Sequence, residues 1–294
     1  MTDQATIGAR LAALPRIRRA RLWRLYTQSL PSGESRRYLD FWMDGGSSLL
    51  GAKGTGIGTA AKAAIDMGLT RPFPSALEAR FAKALLAAFP AWGAVRLFRS
   101  EERALAAAEA RSHNAPIARP RPFGEHLAQA PEPWRRAAAW GASPDSLLSG
   151  SAATTAGATK PAVALPLLPC PPAFAPSVLL FASAEDARSQ SGDIVPPLWL
   201  GAAHRGLVEL ARFERAYNEE LWRRADRRLD PHFARRGPFL LPRCEAEEYG
   251  AFFAAALAAG ALLSPAYEEP SILPGDFDDG ELAHLATALA AARG

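Results

Sequence analysis

Few side chains in this 294-residue sequence can act as a nucleophilic amine. Of its 34 basic residues only Lys53, Lys62, Lys83 and Lys160 are lysines, and residues 161 to 294 contain none. A lysine amine attacks a carbonyl once a pocket holds it unprotonated. Lys53, Lys62 and Lys83 fall in and around N-terminal helical patterns. Lys160 lies within a run rich in Gly, Ala, Ser and Thr that spans Gly141 to Ala162, and a lysine beside Pro161 in such a loop is expected to be solvated. A helix start at Ser100, Glu101 and Glu102 follows the apolar run Val95 to Phe98. Backbone amides at a helix start attract an anion, whereas two carboxylates in the same turn repel it. Glu185 and Asp186 stand beyond the apolar run Ser177 to Ala182 and read as an acidic loop before Gly192.

Other constellations carry less chemistry. Gly51, Gly54, Gly56 and Gly58 match neither G-x-G-x-x-G nor G-x-x-x-x-G-K, so they predict a turn before a helix over 59 to 67. His113, His126, His204, His232 and His284 lack metal-ligand spacing, and no metal is expected. Cys170 and Cys244 form no metal or redox pair, which suits a reducing cytoplasm. No G-x-S-x-G elbow offers a serine nucleophile. Arginines cluster at 16 to 24, 223 to 228 and 235 to 243, where they could meet an acidic ligand or nucleic acid. A net charge of only +4, with 30 acidic residues intermixed, argues for ordinary solvated surface instead. No apolar run approaches the roughly 20 residues of a membrane span, so no membrane partner is expected.

The elements that must position these groups follow from periodicity. At 49% hydrophobic the chain can bury a sizeable core. Leu11, Leu14, Ile17, Leu22 and Leu25 lie at near-helical spacing and predict a surface helix through Arg16 to Arg24. Ser75 and Glu78 form a capping-box pattern ahead of Leu77, Phe81, Ala84, Leu85 and Ala88, which predicts a helix over 76 to 89. Val95 to Phe98 then reads as a strand and Ser100 as the start of the next helix. Between Ser112 and Ala162 the pattern dissolves into a proline-, arginine- and then Gly/Ala/Ser-rich linker. Ala162 to Leu168 and Ser177 to Ala182 have the length of buried strands. Pro196 and Pro197 open a predicted helix to about Leu229. Short strands at 239 to 241 and 261 to 263 alternate with helices at 245 to 259 and 280 to 292.

Leu262-Leu263-Ser264-Pro265, then Pro270 to Gly275, then Gly280-Glu281-Leu282, following an alanine-rich helix closed by Gly260, resemble the C-terminal domain of class III aminotransferases. Within those pyridoxal-phosphate (PLP) enzymes the similarity is to the glutamate-1-semialdehyde aminomutase branch. Leu30-Pro31-Ser32-Gly33 resembles that branch's opening loop, Tyr38 to Phe41 its first strand, Leu49-Leu50-Gly51 the turn before its first helix, and Ala91 to Arg111 the stretch entering its phosphate-binding turn. The resemblance implies an α/β fold: a fold-type I three-layer core over 67 to 200, shortened by roughly a quarter of the family's length. A small α+β domain would be built from both chain ends, 1 to 66 and 201 to 294.

It also implies chemistry that this sequence departs from. A PLP enzyme needs an amine for its Schiff base, a carboxylate for the pyridine nitrogen and donors for the phosphate. The family's buried strand ends Leu-Ile-Phe-Asp-Glu, but Leu179-Leu180-Phe181 continues as Ala182-Ser183. Its Ser-Gly-Thr-Glu-Ala phosphate turn is matched by Arg99-Ser100-Glu101-Glu102, leaving Ser100 and Glu101 as candidate cofactor contacts. Lys160 is the candidate Schiff-base lysine. The expectation is a degenerate, cytoplasmic, non-catalytic homologue without cofactor, acting through binding or assembly. The alternatives are an active PLP-dependent transaminase or aminomutase using Lys160, and a binder of nucleic acid or acidic ligands. A homodimer, or a heterodimer with an intact aminotransferase, is expected to share Pro161 to Pro172 and the apolar side of helix 197 to 229.

Overall fold

Leu39 pairs with Ala261 and Asp40 with Leu262 in a parallel ladder, which brings together segments more than two hundred positions apart in sequence. The computed structural model describes residues 4–28, 35–52, 56–112, 117 and 162–292. In chain order its elements are α1 (Gln4–Ala12), β1 (Ile17–Arg21), β2 (Arg24–Thr27), β3 (Arg37–Asp40), α2 (Gly56–Asp66), α3 (Leu77–Ala88), β4 (Ala94–Phe98) and α4 (Glu101–Ser112). There follow β5 (Val163–Ala164), β6 (Ser177–Phe181), α5 (Ala184–Arg188), α6 (Pro197–Phe213), α7 (Glu219–Leu229), β7 (Phe233–Arg236), β8 (Phe239–Pro242), α8 (Tyr249–Ala258), β9 (Ala261–Leu262), β10 (Ser271–Ile272) and α9 (Asp279–Ala291). The described residues divide into two compact units: 4–28, 35–52 and 215–292 in one, 56–112, 117 and 162–214 in the other.

The first unit holds a sheet of order β1-β2-β3-β9 and another of order β10-β8-β7. Arg16 to Arg24, expected as a surface helix, is instead the β1–β2 hairpin, with Arg21 opposite Arg24. The two-residue turn is Leu22-Trp23, and Leu22 adopts a left-handed φ of 51°. Such a turn ordinarily uses glycine or asparagine. Here a backbone bridge from Leu22 to Ala52 and a 2.8 Å hydrogen bond from the Trp23 indole to Leu49 O hold the strained conformation. The buried Arg24 guanidinium forks onto Glu281 at 2.8 and 3.0 Å and reaches Asp276 at 3.0 Å, fastening β2 to the start of α9. Every residue of β8 is buried. Phe233, Phe252, Tyr249 and Tyr267 form a chain of ring contacts beside it, with centroids 5.4 to 6.1 Å apart.

In the second unit β6 lies between β4 and β5 and runs antiparallel to both. Leu179, Leu180 and Phe181 are fully buried, and Leu179 and Phe181 pack with Phe98, Ala104, Ala108 and Val163. Each fully buried side chain of that size contributes about 1.5–3 kcal/mol of transfer free energy. The expected strand Ala162 to Leu168 shrinks to Val163–Ala164 because Pro166 and Pro169 have no N–H for a ladder. The expected helix from Pro197 to Leu229 is two helices. It stops at Phe213, and Asn218 Oδ1 caps a new start by accepting from the Glu220 amide at 3.1 Å. Between them Tyr217 turns inward, and its buried hydroxyl donates to Leu273 O.

The surfaces expected to be shared with a partner are largely used within the chain. Leu200, Ala203, Leu207 and Leu210 of α6 are buried, in a helix that packs on α2 and α3, and Leu165, Leu168 and Cys170 are buried as well. Gly206 permits the close approach of the 165–176 segment to α6, since a Cβ there would stand 2.5 Å from Pro169 O.

Candidate functional site

At the turn leaving β4, where the resemblance puts a phosphate turn that has lost its glycine and gained carboxylates, the helix start is met by a side chain of the protein itself. The Arg99 amide donates to Asp193 Oδ2 at 3.0 Å, and Arg103 Nη2 meets Asp193 Oδ1 at 2.7 Å. Ser100 serves its own helix: its Oγ accepts from the Arg103 amide at 3.3 Å, and its carbonyl accepts from the Ala104 amide at 3.2 Å. Glu101 and Glu102 are exposed in the first turn of α4. Asp193 reaches the turn because residues 190 to 193 run alongside β4. The Asp193 amide donates to Leu97 O at 2.7 Å, and a Cβ on Gly192 would stand 2.9 Å from the same oxygen. Arg96 fixes this segment by donating to Gln190 O at 2.7 Å and Ala187 O at 2.8 Å.

With only 8% of its side chain exposed, the Asp193 carboxylate does at this helix start what a bound phosphate does elsewhere: it accepts from a backbone amide and meets a cation. A phosphate placed there would compete for donors with Asp193 and meet two further carboxylates. The residues present therefore do not fit a phosphate group.

The end of β6 is similarly self-contained. Ser183 caps α5, its Oγ accepting from the Asp186 amide at 3.1 Å and donating to Asp186 Oδ2 at 2.7 Å. Arg111, in the last turn of α4, pairs with the other oxygen of Asp186. The Ser183 hydroxyl and then Arg111 hold the Asp186 carboxyl below its ordinary range. Glu185 and Asp186 thus form the first turn of a short helix rather than the acidic loop expected before Gly192, and Asp186 is spent on joining α4 to α5.

Among the described residues no lysine amine is brought to either place. Lys62 on α2 and Lys83 on α3 are exposed, and Lys53 and Lys160 lie outside the described residues. His113 and His126 also lie outside them. Among the described residues no group of three His, Cys, Asp or Glu side chains is placed to hold a metal ion, and no helix is long and apolar enough to cross a membrane. Cys170 and Cys244 are buried, free thiols, and burial pushes Cys170 up to about 12, far from the thiolate needed for reactivity. The sequence named Ser100 and Glu101 at this turn as candidate cofactor contacts and did not single out Asp193, whose only local signal is a Gly-Asp pair ahead of Ile194.

The fold is that of PLP-dependent aminotransferases of fold-type I. An omega-transaminase from Sphaerobacter thermophilus matches with a TM-score of 0.62 at 14% identity, over 99% of this chain and 97% of that one. The ornithine delta-aminotransferase of Plasmodium falciparum gives 0.62 at 13% identity, over 99% and 98%. The N-acetylornithine aminotransferase of Stenotrophomonas maltophilia gives 0.54 at 15% identity, over 98% of each. No family model matches the sequence. An uncharacterized protein of Treponema pallidum is 31% identical over 283 residues, covering 88% of this chain and 89% of its own length, and the chain belongs to that protein's family. An uncharacterized protein of Borreliella burgdorferi is 33% identical over 91 residues, 31% of this chain and 32% of its own.

Proposed function

We propose that this chain is a non-catalytic, shortened member of the class III aminotransferase lineage, on the glutamate-1-semialdehyde aminomutase side, that works in the cytoplasm through binding or assembly. The observation that carries the reading is Asp193 seated on the Arg99 amide, where the resemblance puts a phosphate. The absence of lysine from residues 161 to 294 supports it from the sequence, as does Ala182-Ser183 in place of Asp-Glu. In this reading 67 to 200 is the shortened core, and the two chain ends supply the small domain. Assembly, as a homodimer or with an intact aminotransferase, would draw on apolar surface left open: Ile65 in the last turn of α2 and Met67 and Phe73 on the connection to α3 are 52%, 65% and 37% exposed. Equilibrium dialysis against PLP tests the cofactor part, with no retention above that of a lysine-poor control protein expected. Sedimentation at micromolar concentration tests the assembly part, and a monomer there would remove it.

A second reading is an active PLP-dependent transaminase or aminomutase with Lys160 as its amine. It is favoured by two solved structures of the same fold, a transaminase with PLP bound and the PLP internal aldimine form of the FumI protein of a Sphingopyxis species. Retention of one PLP per chain, lost on Lys160→Ala, would establish it.

A further inference from the structure

An open cleft of about 740 Å³ lies within the first unit, between α1, the Arg36–Tyr38 segment and α8. Its wall on the α8 side is unusual for a surface helix. From Tyr249 to Leu263 the only polar side-chain atom is the Tyr249 hydroxyl, and that is buried and donates to Ser264 O at 2.6 Å. A helix apolar on every side is ordinarily covered on every side. Phe252, Phe253 and Ala256 are covered, whereas Gly250, Ala254 and Ala258 are exposed along the cleft. Across from them α1 contributes Ala9 and Arg10.

Two cations line this apolar trough, Arg10 and Arg36, and the described lining residues include no carboxylate. Arg10 is rigidly held: Nη1 donates to Pro265 O at 2.6 Å, and the guanidinium lies 4.9 Å from the Tyr249 ring centroid and 6.0 Å from that of Phe253. A guanidinium has five N–H donors in a planar fork suited to a carboxylate, and the bond to Pro265 uses one of them. Arg36 is exposed, with its amide fixed by Thr27 Oγ1 at 2.9 Å. A cavity of several hundred Å³ with mostly apolar walls and a few convergent polar groups is the general form of a small-molecule site. A cation is disfavoured here, and a sugar or a bare phosphate would leave the alanine walls wet.

We propose that this cleft binds a monocarboxylate with an apolar body, the body lying over Ala9, Ala254 and Leu257 and the carboxylate meeting Arg10 and Arg36. The proposal does not depend on whether PLP binds, because the cleft and the β4–α4 turn share no residue.

Isothermal titration of the full-length protein with 4-phenylbutyrate tests it. Saturable one-to-one binding is expected, weakened about tenfold by Arg36→Gln, the loss that follows from removing one charge-assisted hydrogen bond. Ala254→Phe, which fills the trough, should abolish binding while circular dichroism stays native; Ala258→Phe replaces it if that variant fails to fold. 4-Phenylbutylamine should not bind. Equal binding of acid and amine, indifference to both substitutions, or no saturation in the millimolar range would overturn the site. Binding to phosphatidylglycerol vesicles, lost in Arg36→Gln, with none to the free acid, would overturn it in favour of a lipid surface.

Discussion

Asp193 and Arg99 are joined by a 3.0 Å hydrogen bond from the Arg99 amide to Asp193 Oδ2, across 94 positions of sequence. The bond satisfies a backbone donor at the start of α4 with a carboxylate that is largely withdrawn from water. Removing that acceptor gives up a hydrogen bond to a charged group, at a cost of about 1–3 kcal/mol. Asp193→Ala is therefore expected to lower stability by that amount in urea unfolding. Arg103→Ala, which removes a partner whose side chain is 60% exposed, should cost under about 1 kcal/mol. Equal losses would mean that the ion pair, not the amide, is what Asp193 supplies.

Arg24 and Glu281 should behave as one unit. The Arg24 side chain is 10% exposed and that of Glu281 13%, and the fork between them is completed by Asp276 and by Arg37, which reaches Glu281 at 2.9 Å. Removing Arg24 leaves Glu281 to the half-exposed Arg37 alone, so Arg24→Ala is expected to cost roughly 2–3 kcal/mol, less than the loss of an isolated buried pair. Arg24→Met with Glu281→Leu should cost less than the sum of the two single changes, by at least about 1 kcal/mol in a double-mutant cycle. Strict additivity would contradict the coupling.

Asp40 gives the pH dependence an unusual sign. Burial pushes its carboxyl from an ordinary 3.8 up to about 6; nearby Asp44 acts in the same direction, while the Met43 and Trp42 amides, at 2.8 and 3.0 Å, act against it. Between those two values the folded chain keeps a proton that the unfolded chain has lost, so this group's contribution to stability falls as pH rises through the window. Glu281 works oppositely: burial is the largest single influence and pushes it up, but the Arg24 hydrogen bond, the Asp278 amide and the charges of Arg24 and Arg37 together outweigh burial and lower it, so its stabilisation is lost on acidification. Comparing wild type with Asp40→Asn isolates the first effect. The wild type should gain about 1–2 kcal/mol relative to the variant as pH falls across that window. A difference that does not change with pH would contradict it.

What the sequence made legible was local. The helix at Leu77–Ala88 announces itself through Ser75, Glu78 and an apolar stripe, and the α4 start through Ser100 and its two glutamates, because capping and periodicity act within one turn. The β1–β2 hairpin was not legible: its turn is made by Leu22, a residue that favours no left-handed turn, and is held by Ala52 and Leu49, which lie in another segment. The break before Asn218 was hidden because Tyr217 and Leu221 continue the helical stripe, and the pull on Tyr217 comes from Leu273. Ser100 and Glu101 could be named in advance. Asp193 could not, since the contact that makes it matter depends on the whole β4–β6 arrangement.

The central claim, that no lysine of this chain serves PLP, is tested most directly by incubating the protein with excess PLP, reducing with borohydride and measuring intact mass with peptide mapping. The expected result is no stoichiometric adduct and no new visible absorbance, with only sparse labelling scattered over exposed residues such as Lys62 and Lys83. One PLP per chain, trapped on a single lysine and on Lys160 above all, would contradict it.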